Sequence, residues 1–200
     1  MKIGILGFQG GIAEHFYMLK RILNEKGISG EITIVRRPYD LASLDGIILP
    51  GGESTTIGIL LRRMGLLNRL RGAIEEGLPV MGVCAGTVML AKKVTDRIVG
   101  EVSQPLLGVM NIEVVRNYYG RQRESFEVDL QVPLIGDKPF RGVFIRAPAI
   151  VKVHAPAEPL AKLGDVFVMA RQENMLAVTF HPELTGDTRI HKLFIDLVKG

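Results

Sequence analysis

Pro79-Val80-Met81-Gly82-Val83-Cys84-Ala85-Gly86-Thr87 decides how the rest of the chain is read. Pro79 to Val83 is a short apolar run, the pattern of a strand buried on both faces. From Gly86 to Lys93 the apolar residues return at helical spacing. Cys84 therefore sits on a strand-to-helix turn, with a glycine two residues to either side. This is nucleophile-elbow spacing with Cys in place of Ser. The turn is sharp enough to crowd the flanking side chains, and glycine relieves that crowding. The thiol should be lifted out of the sheet edge at a helix N-terminus, where the dipole favours thiolate. The Ala85 N–H should point into the same space, where it can hold an oxyanion. An inert cysteine packed between two glycines fits the same letters, since free Cys is often buried. The strand–turn–helix setting favours the nucleophile.

Upstream, Lys2 to Gly7 reads as a strand that ends in Gly7-Phe8-Gln9-Gly10-Gly11. Ile12, Phe16, Leu19 and Leu23 follow at helical spacing, and Gly27 can stop that helix. Glu31 to Arg36 is a second strand, closed by Pro38, and Gly46 to Leu49 a third that runs into Pro50-Gly51-Gly52. A helical pattern covers Thr55 to Glu76, with an interruption near Gly65. Strand–helix alternation implies a parallel sheet covered on both faces, with sites at the carboxyl ends of its strands. The Gly-rich turns after Gly7, Leu49 and Val83 should gather at one sheet edge. Downstream, the style changes to strands joined by short turns: Gly108 to Val115, Ser125 to Val132, Gly142 to Arg146, Ala149 to His154 and Val166 to Ala170. Met175 to Phe180 is a further strand ending at His181-Pro182-Glu183, and a last helix runs from Asp187 to Val198. Neither a linker nor a repeat interrupts this order. Residues 1–200 read as one three-layer α/β domain with helices on both faces of a mixed sheet and an antiparallel extension.

The totals agree with such a domain. Of 200 residues, 47% are hydrophobic and 23% charged, the balance of an ordinary soluble globular chain. No apolar run reaches the ~18–20 residues of a membrane span, and the N-terminus lacks a signal-peptide pattern. A cytoplasmic protein is expected. A single Cys excludes an internal disulfide and any multi-cysteine zinc site. The net charge of +4 is a modest excess that suits solubility. The densest basic stretch, Arg116 to Arg123, contains Tyr118 and Tyr119, but Glu124 and Glu127 dilute it and no nucleic-acid motif accompanies it. Neither a nucleic acid nor a membrane is expected as partner.

A thiol nucleophile needs a base, and the base an orienting group. Of four histidines, His15 lies on the first helix beside Glu14, and helix neighbours do not face each other. His191 sits on the last helix at a spacing that suits packing or solvent. His154 ends a strand with no carboxylate in register. His181 precedes Pro182, which keeps it extended, and in an extended chain residues i and i+2 share a side. Glu183 should thus lie beside His181 and orient its ring, as in a triad with Glu as third member.

Pro50-Gly51-Gly52-Glu53-Ser54-Thr55-Thr56 admits three readings. A phosphate cradle lacks the P-loop Lys, and Glu53 would repel phosphate. A plain tight turn would have Ser54 capping a helix. The third reading makes Gly52 N–H a second oxyanion donor opposite Ala85 N–H. It suits a thiolate best, because an acyl intermediate requires two such donors.

The Gly-x-Cys-x-Gly elbow, the Pro-Gly-Gly turn and His-x-Glu near the end together resemble a class I glutamine amidotransferase domain of flavodoxin-like architecture. Gln9-Gly10, Gly51 to Thr56, Arg116-Asn117, Gly120-Arg121-Gln122, Ser125-Phe126-Glu127, Phe144-Ile145-Arg146-Ala147-Pro148 and Phe180 to Thr185 narrow the resemblance to the glutaminase subunits of pyridoxal 5′-phosphate synthase. The Gly-Gly-Glu-Ser-Thr-Thr and Phe-Ile-Arg-Ala-Pro segments are the specific ones. The resemblance implies hydrolysis of L-glutamine to L-glutamate and ammonia without metal or cofactor. It also implies delivery of the ammonia to a (β/α)₈-barrel synthase subunit, and glutaminase activity that rises when this partner binds. It carries Gly52, Glu53, Ser54, Arg116, Ile145 and Arg146 over as glutamine-binding residues. Either arginine could hold the α-carboxylate, and Glu53 could face the ammonium. A glutaminase serving histidine biosynthesis is the nearest rival, and the segments around Gly120 and Ile145 argue against it. A non-catalytic module on the same fold would not need an intact Cys, His and Glu. In an elbow hydrolase the acid would normally precede the His, whereas Glu183 follows His181.

Overall fold

The computed structural model describes residues 1–120 and 125–200. Arg121 and Gln122 of the Gly120-Arg121-Gln122 segment, with the basic Arg123, lie outside the described residues. The central strands are β1 (Lys2–Leu6), β3 (Gly46–Leu49), β4 (Val80–Val83) and β13 (Met175–Val178). They run parallel in the order β1-β3-β4-β13, in registers such as Ile5 with Ile48, Leu49 with Gly82, and Val178 with Val83. Their residues are almost all buried, as expected of strands covered on both faces. β2 (Glu31–Val35) closes this edge in parallel with β1.

Helices α1 (Ile12–Glu25) and α5 (Arg189–Lys199) cover one face. α1 turns His15, Met18, Leu19, Ile22 and Leu23 inward, an i, i+3, i+4, i+7, i+8 stripe. Of these, Met18, Leu19 and Ile22 join Ile3, Ile5, Ile48, Phe194 and Ile195 in one core. α2 (Ser54–Arg63), α3 (Leu67–Glu75) and α4 (Ala85–Leu90) cover the other face, with Ile57, Leu61, Leu70 and Val88 packed against Ile47, Leu49 and Val80. The break between α2 and α3 falls at Gly65, at φ 69°.

Beyond β13 the sheet continues through β12 (Val166–Gln172), β10 (Ala149–Val153), β7 (Met110–Arg116), β5 (Ala91–Asp96) and β6 (Gly100–Glu101). β11 (Glu158–Leu163) pairs antiparallel with β12, from Leu163 with Val166 to Glu158 with Arg171. Among the described residues this makes one sheet of eleven strands. The extension is antiparallel except where β5 runs parallel to β7. A separate hairpin, β8 (Phe126–Leu130) with β9 (Phe140–Phe144), caps the α1/α5 face; Phe126 and Phe144 stack there at 4.8 Å.

The expected mixed sheet with helices on both faces is therefore present, with local corrections. The helix expected over Gly86–Lys93 ends at Leu90, and Ala91 onward joins the sheet as β5. Lys92 and Lys93 are exposed while Ala91 and Val94 are buried, so the helical spacing runs on through residues that belong to the sheet. The strand at Glu158–Leu163 has weak periodicity and begins next to Pro159. Among the described residues no helix is long and apolar enough to cross a membrane.

Candidate functional site

The three glycine-rich turns meet at the carboxyl edge of β1, β3 and β4. A Cβ on Gly10 would fall 2.2 Å from the Gly51 carbonyl, and one on Gly51 would fall 2.6 Å from His181 Cε1 and 3.6 Å from Cys84 Cβ. Cys84 itself has φ 50° and ψ −103°, a conformation that costs an L-residue about 1–3 kcal/mol. The neighbours on either side make it possible. A Cβ on Gly82 would lie 2.6 Å from the Gly86 carbonyl carbon, and one on Gly86 would lie 2.1 Å from the Leu49 carbonyl oxygen. Both elbow glycines are required by close approach, as the spacing implied. Cys84 N–H donates to Val178 O at 2.7 Å, which fixes the turn to the end of β13. Ala85 is the first residue of α4, so its N–H is not consumed by the helix.

His181 follows β13, and its N–H donates to Val143 O of β9 at 2.8 Å. Its Nδ1 lies 2.8 Å from Glu183 Oε1, which leaves Nε2 for the thiol. The pairing is as expected, but the backbone that makes it is not. Pro182–Leu184 is a 3-10 turn rather than a continued strand, and the turn brings Glu183 back beneath the ring. The Glu183 side chain is 1% exposed. Burial works against the charged form of His181. Its interactions with Cys84 and Glu183 outweigh this, and the imidazole is pushed up to about 10. A protonated ring between a sulfur and a carboxylate is the arrangement that stabilises an anionic thiolate.

These residues open on a cleft of about 340 Å³. Cys84, Ala85, His181, Gly52, Glu53, Ser54, Arg116, Ile145 and Arg146 all line it, so every expected site residue but the buried Glu183 reaches one space. Asn117, Pro148 and Val88 complete the wall. Ile145 and Arg146 emerge from the end of β9, with Arg146 at φ 44°. Among the described residues the exposed Arg146 guanidinium has no ion-pair partner. Arg116 is more committed. It lies 3.4 Å from Glu53 and 3.7 Å from Asp96, donates to Thr55 Oγ1 at 2.8 Å, and also meets Gln104.

Glu53, rather than Ser54, caps α2. Its carboxylate accepts from Thr55 N–H at 3.0 Å and Thr56 N–H at 2.7 Å. Burial opposes its charge, but the bonds from Thr56 and Thr55 hold the carboxyl below its ordinary range. Glu53 N–H donates to Gln9 Oε1 at 2.9 Å, tying the first glycine turn to the second. Asp96 resists burial in the same way, through Ile98 N–H, Asn117 and Val99 N–H, and remains an anion behind Arg116.

Other polar residues escape a reading of the sequence. Thr87 shares its buried hydroxyl between Gly82 O at 2.9 Å and Val178 O at 2.8 Å. It thus clamps the strand ends that carry Cys84 and lead to His181. His154 meets a carboxylate from the neighbouring strand: Glu113 Oε1 of β7, whose register partner is Lys152, lies 3.0 Å from its Nε2, on the surface away from the cleft. His15 and His191 meet each other at 2.9 Å in the core. Among the described residues no three His, Cys, Asp or Glu side chains converge as ligands for a metal ion.

Comparison with known proteins agrees with this geometry. The model of the SNO glutamine amidotransferase family matches residues 5–199. The chain is 59% identical to the pyridoxal 5′-phosphate synthase subunit PdxT of Staphylothermus marinus, over 99% of this chain and 98% of that one. It is 57% identical to PdxT of Aeropyrum pernix over the full length of both. A crystal structure of a glutamine amidotransferase superposes with a TM-score of 0.88 at 46% identity, covering 99% of each chain. A glutamine amidotransferase from Thermotoga maritima shares the fold at a TM-score of 0.59 and 16% identity, over 99% of this chain and 83% of that one. With its elbow cysteine, paired histidine and relatives matched end to end, the chain belongs to the SNO glutamine amidotransferase family.

Proposed function

We propose that the chain hydrolyses L-glutamine to L-glutamate and ammonia and supplies the ammonia to a pyridoxal 5′-phosphate synthase subunit of (β/α)₈-barrel form. The observation that carries this reading is Cys84 beside His181, with His181 Nδ1 2.8 Å from Glu183 Oε1, at the base of a cleft that presents Arg146 and Glu53. Cys84 thiolate attacks the side-chain amide carbon. Gly52 and Ala85 N–H groups hold the oxyanion that forms. The His181 imidazolium gives its proton to the departing nitrogen, so that ammonia leaves and a thioester remains. Neutral His181 then takes a proton from water, and the hydroxide attacks the thioester carbon. Thiolate is expelled, and glutamate is released. Glu183 fixes the tautomer and balances the imidazolium throughout. Neither step requires a metal or a redox group.

Substrate recognition follows from charge. In this reading Arg146, which lines the cleft, holds the α-carboxylate, with Arg116 behind it. Glu53 keeps its charge while capping α2; both of its oxygens accept bonds from the start of that helix, and its half-exposed carboxylate offers its remaining lone pairs to the ammonium. Ser54 and Ile145 line the same wall. The reading also places the whole activity in one domain, residues 1–200, working in the cytoplasm, where a reducing medium keeps a lone catalytic thiol free. Because the Gln9–Glu53 bond joins the loop bearing Gly52 to the one after β1, a partner docking there can set the oxyanion donors.

Glutamine-dependent release of ammonia and glutamate, measured with and without the synthase subunit, tests the proposal. Turnover should rise on complex formation and vanish in Cys84→Ala. Turnover that survives in Cys84→Ala overturns the mechanism, and equal rates with and without the synthase overturn the coupling.

A further inference from the structure

The triad reading uses one oxygen of Glu183 and leaves the other unexplained. Glu183 Oε2 is buried and, among the described residues, makes no hydrogen bond. The nearest charged-group contact is His15 Nε2 at 3.7 Å, and both side chains are essentially sealed from solvent. His15 Nε2 has no other partner, while its Nδ1 meets His191 Nε2 at 2.9 Å. The side chains therefore form a buried line from α5 through α1 to the site: His191, His15, Glu183, His181.

The protonation pattern along the line is constrained. Burial, then the neighbouring His191 and His181, hold His15 well below its ordinary range, and burial pushes His191 down to about 3. Both rings are neutral at physiological pH. A neutral ring carries one N–H. If His15 is to favour an anionic carboxylate, that proton sits on Nε2 and faces Oε2. Its Nδ1 then accepts from His191 Nε2–H, which leaves His191 Nδ1 without a proton, consistent with that atom having no acceptor beside it. This assignment gives each facing pair along the line one donor and one acceptor, and leaves His191 Nδ1 without a partner. The same carboxylate is packed against the start of α1, where a Cβ on Gly11 would lie 3.0 Å from Glu183 Oε1. His15 is carried one turn further along that helix, and its N–H donates to Gly11 O at 2.9 Å.

We propose that His15 is a positioning residue for the triad: anchored by His191, it aims its Nε2–H at Oε2 of Glu183 and so fixes the carboxylate with Oε1 toward His181. The inference rests on the triad reading, and His15 touches no reacting atom. At 3.7 Å the contact is longer than a hydrogen bond; such contacts commonly tighten when substrate is bound. Two buried imidazoles in an otherwise apolar layer are poor packing choices beside leucine. Orienting an anion gives them a role that packing does not.

The test compares two amides at position 15 in the full-length chain assembled with its synthase subunit. The Gln amide nitrogen can reach the place of Nε2, whereas that of Asn reaches only the place of Nδ1. His15→Asn should lower kcat about 10- to 100-fold, as loss of an outer orienting partner does, with KM for glutamine within twofold. His15→Gln should restore most of kcat. Equal kcat in His15→Asn and the native chain overturns the inference, and so does His15→Gln as impaired as His15→Asn. If His15→Asn does not fold, His191→Leu, which unanchors His15 without approaching Glu183, should lower kcat at unchanged KM; native kcat there overturns the inference. Glu183→Gln separates this failure from that of the triad. Native turnover in Glu183→Gln removes the triad reading and this inference with it. An inactive Glu183→Gln beside a fully active His15→Asn removes this inference alone.

Discussion

Replacing Gly51 by Ala should impair turnover far more than stability. Its Cβ would fall 2.6 Å from His181 Cε1 and 3.4 Å from His181 Nδ1, where ordinary contact begins near 3.4 Å. The ring must therefore retreat by roughly 1 Å to restore normal carbon–carbon separation. It cannot do so freely, because Nδ1 is held by Glu183 and the backbone N–H by Val143. The retreat moves Nε2 away from the sulfur. A displacement of about 1 Å at a reacting group costs roughly 100-fold in rate, or about 2.7 kcal/mol of barrier. Overpacking at a cleft wall should cost about 1 kcal/mol of stability, the lower end for such substitutions. The assay is ammonia release at saturating glutamine, paired with urea unfolding. Gly72→Ala is the control: its Cβ meets nothing within 4 Å, and in the middle of α3 it should add roughly 0.5–1 kcal/mol without affecting turnover. A ring NMR titration distinguishes displacement of His181 from a change in the Gly52 loop, because a ring drawn off the sulfur should titrate below about 10. A folded Gly51→Ala that keeps more than a third of native turnover would refute the argument from close approach.

Thr87→Val keeps the shape but strips the hydroxyl shared by Gly82 O and Val178 O; it should cost about 1–3 kcal/mol in urea unfolding, and an unchanged midpoint would show that the clamp is idle. His181 is raised from 6.5 to about 10 on folding, so its contribution to stability is complete below pH 6.5 and disappears as pH climbs through 10. The melting temperature should fall over that window and fall less in Cys84→Ala, which removes one cause of the shift; identical profiles would contradict it. Arg146→Ala should raise KM for glutamine roughly 10- to 100-fold, the range for one charged hydrogen bond, whereas Arg116→Ala should also destabilise the fold because Arg116 ties Asp96, Gln104 and Thr55. An unchanged KM in Arg146→Ala would move the carboxylate site elsewhere.

What can be read from the letters is what is fixed within a few residues. Glycines two positions either side of Cys84 report a steric fact about one turn, and the 2.6 and 2.1 Å approaches at Gly82 and Gly86 bear it out. The i, i+2 relation of His181 and Glu183 holds through a different backbone from the extended one that Pro182 suggests. Pro182 starts a 3-10 turn, and both conformations return residue i+2 to the ring. β5 is hidden because Ala91 to Lys93 extends a helical pattern, and pairing with β7, which is distant in sequence, decides the matter. The histidines show the same limit more sharply. Glu14 cannot face His15 along α1, and that reasoning is sound within one helix. The partners of His15, His191 and Glu183, are 176 and 168 positions away and reach it only because α1 packs against α5 and against the Pro182–Leu184 turn. Local spacing can reject a neighbour, but it cannot reject a role. A buried polar residue on an otherwise apolar helix stripe, as His15 is among Met18, Leu19 and Ile22, is the available signal, because a core position that forgoes an aliphatic side chain implies a partner that the helix itself does not supply.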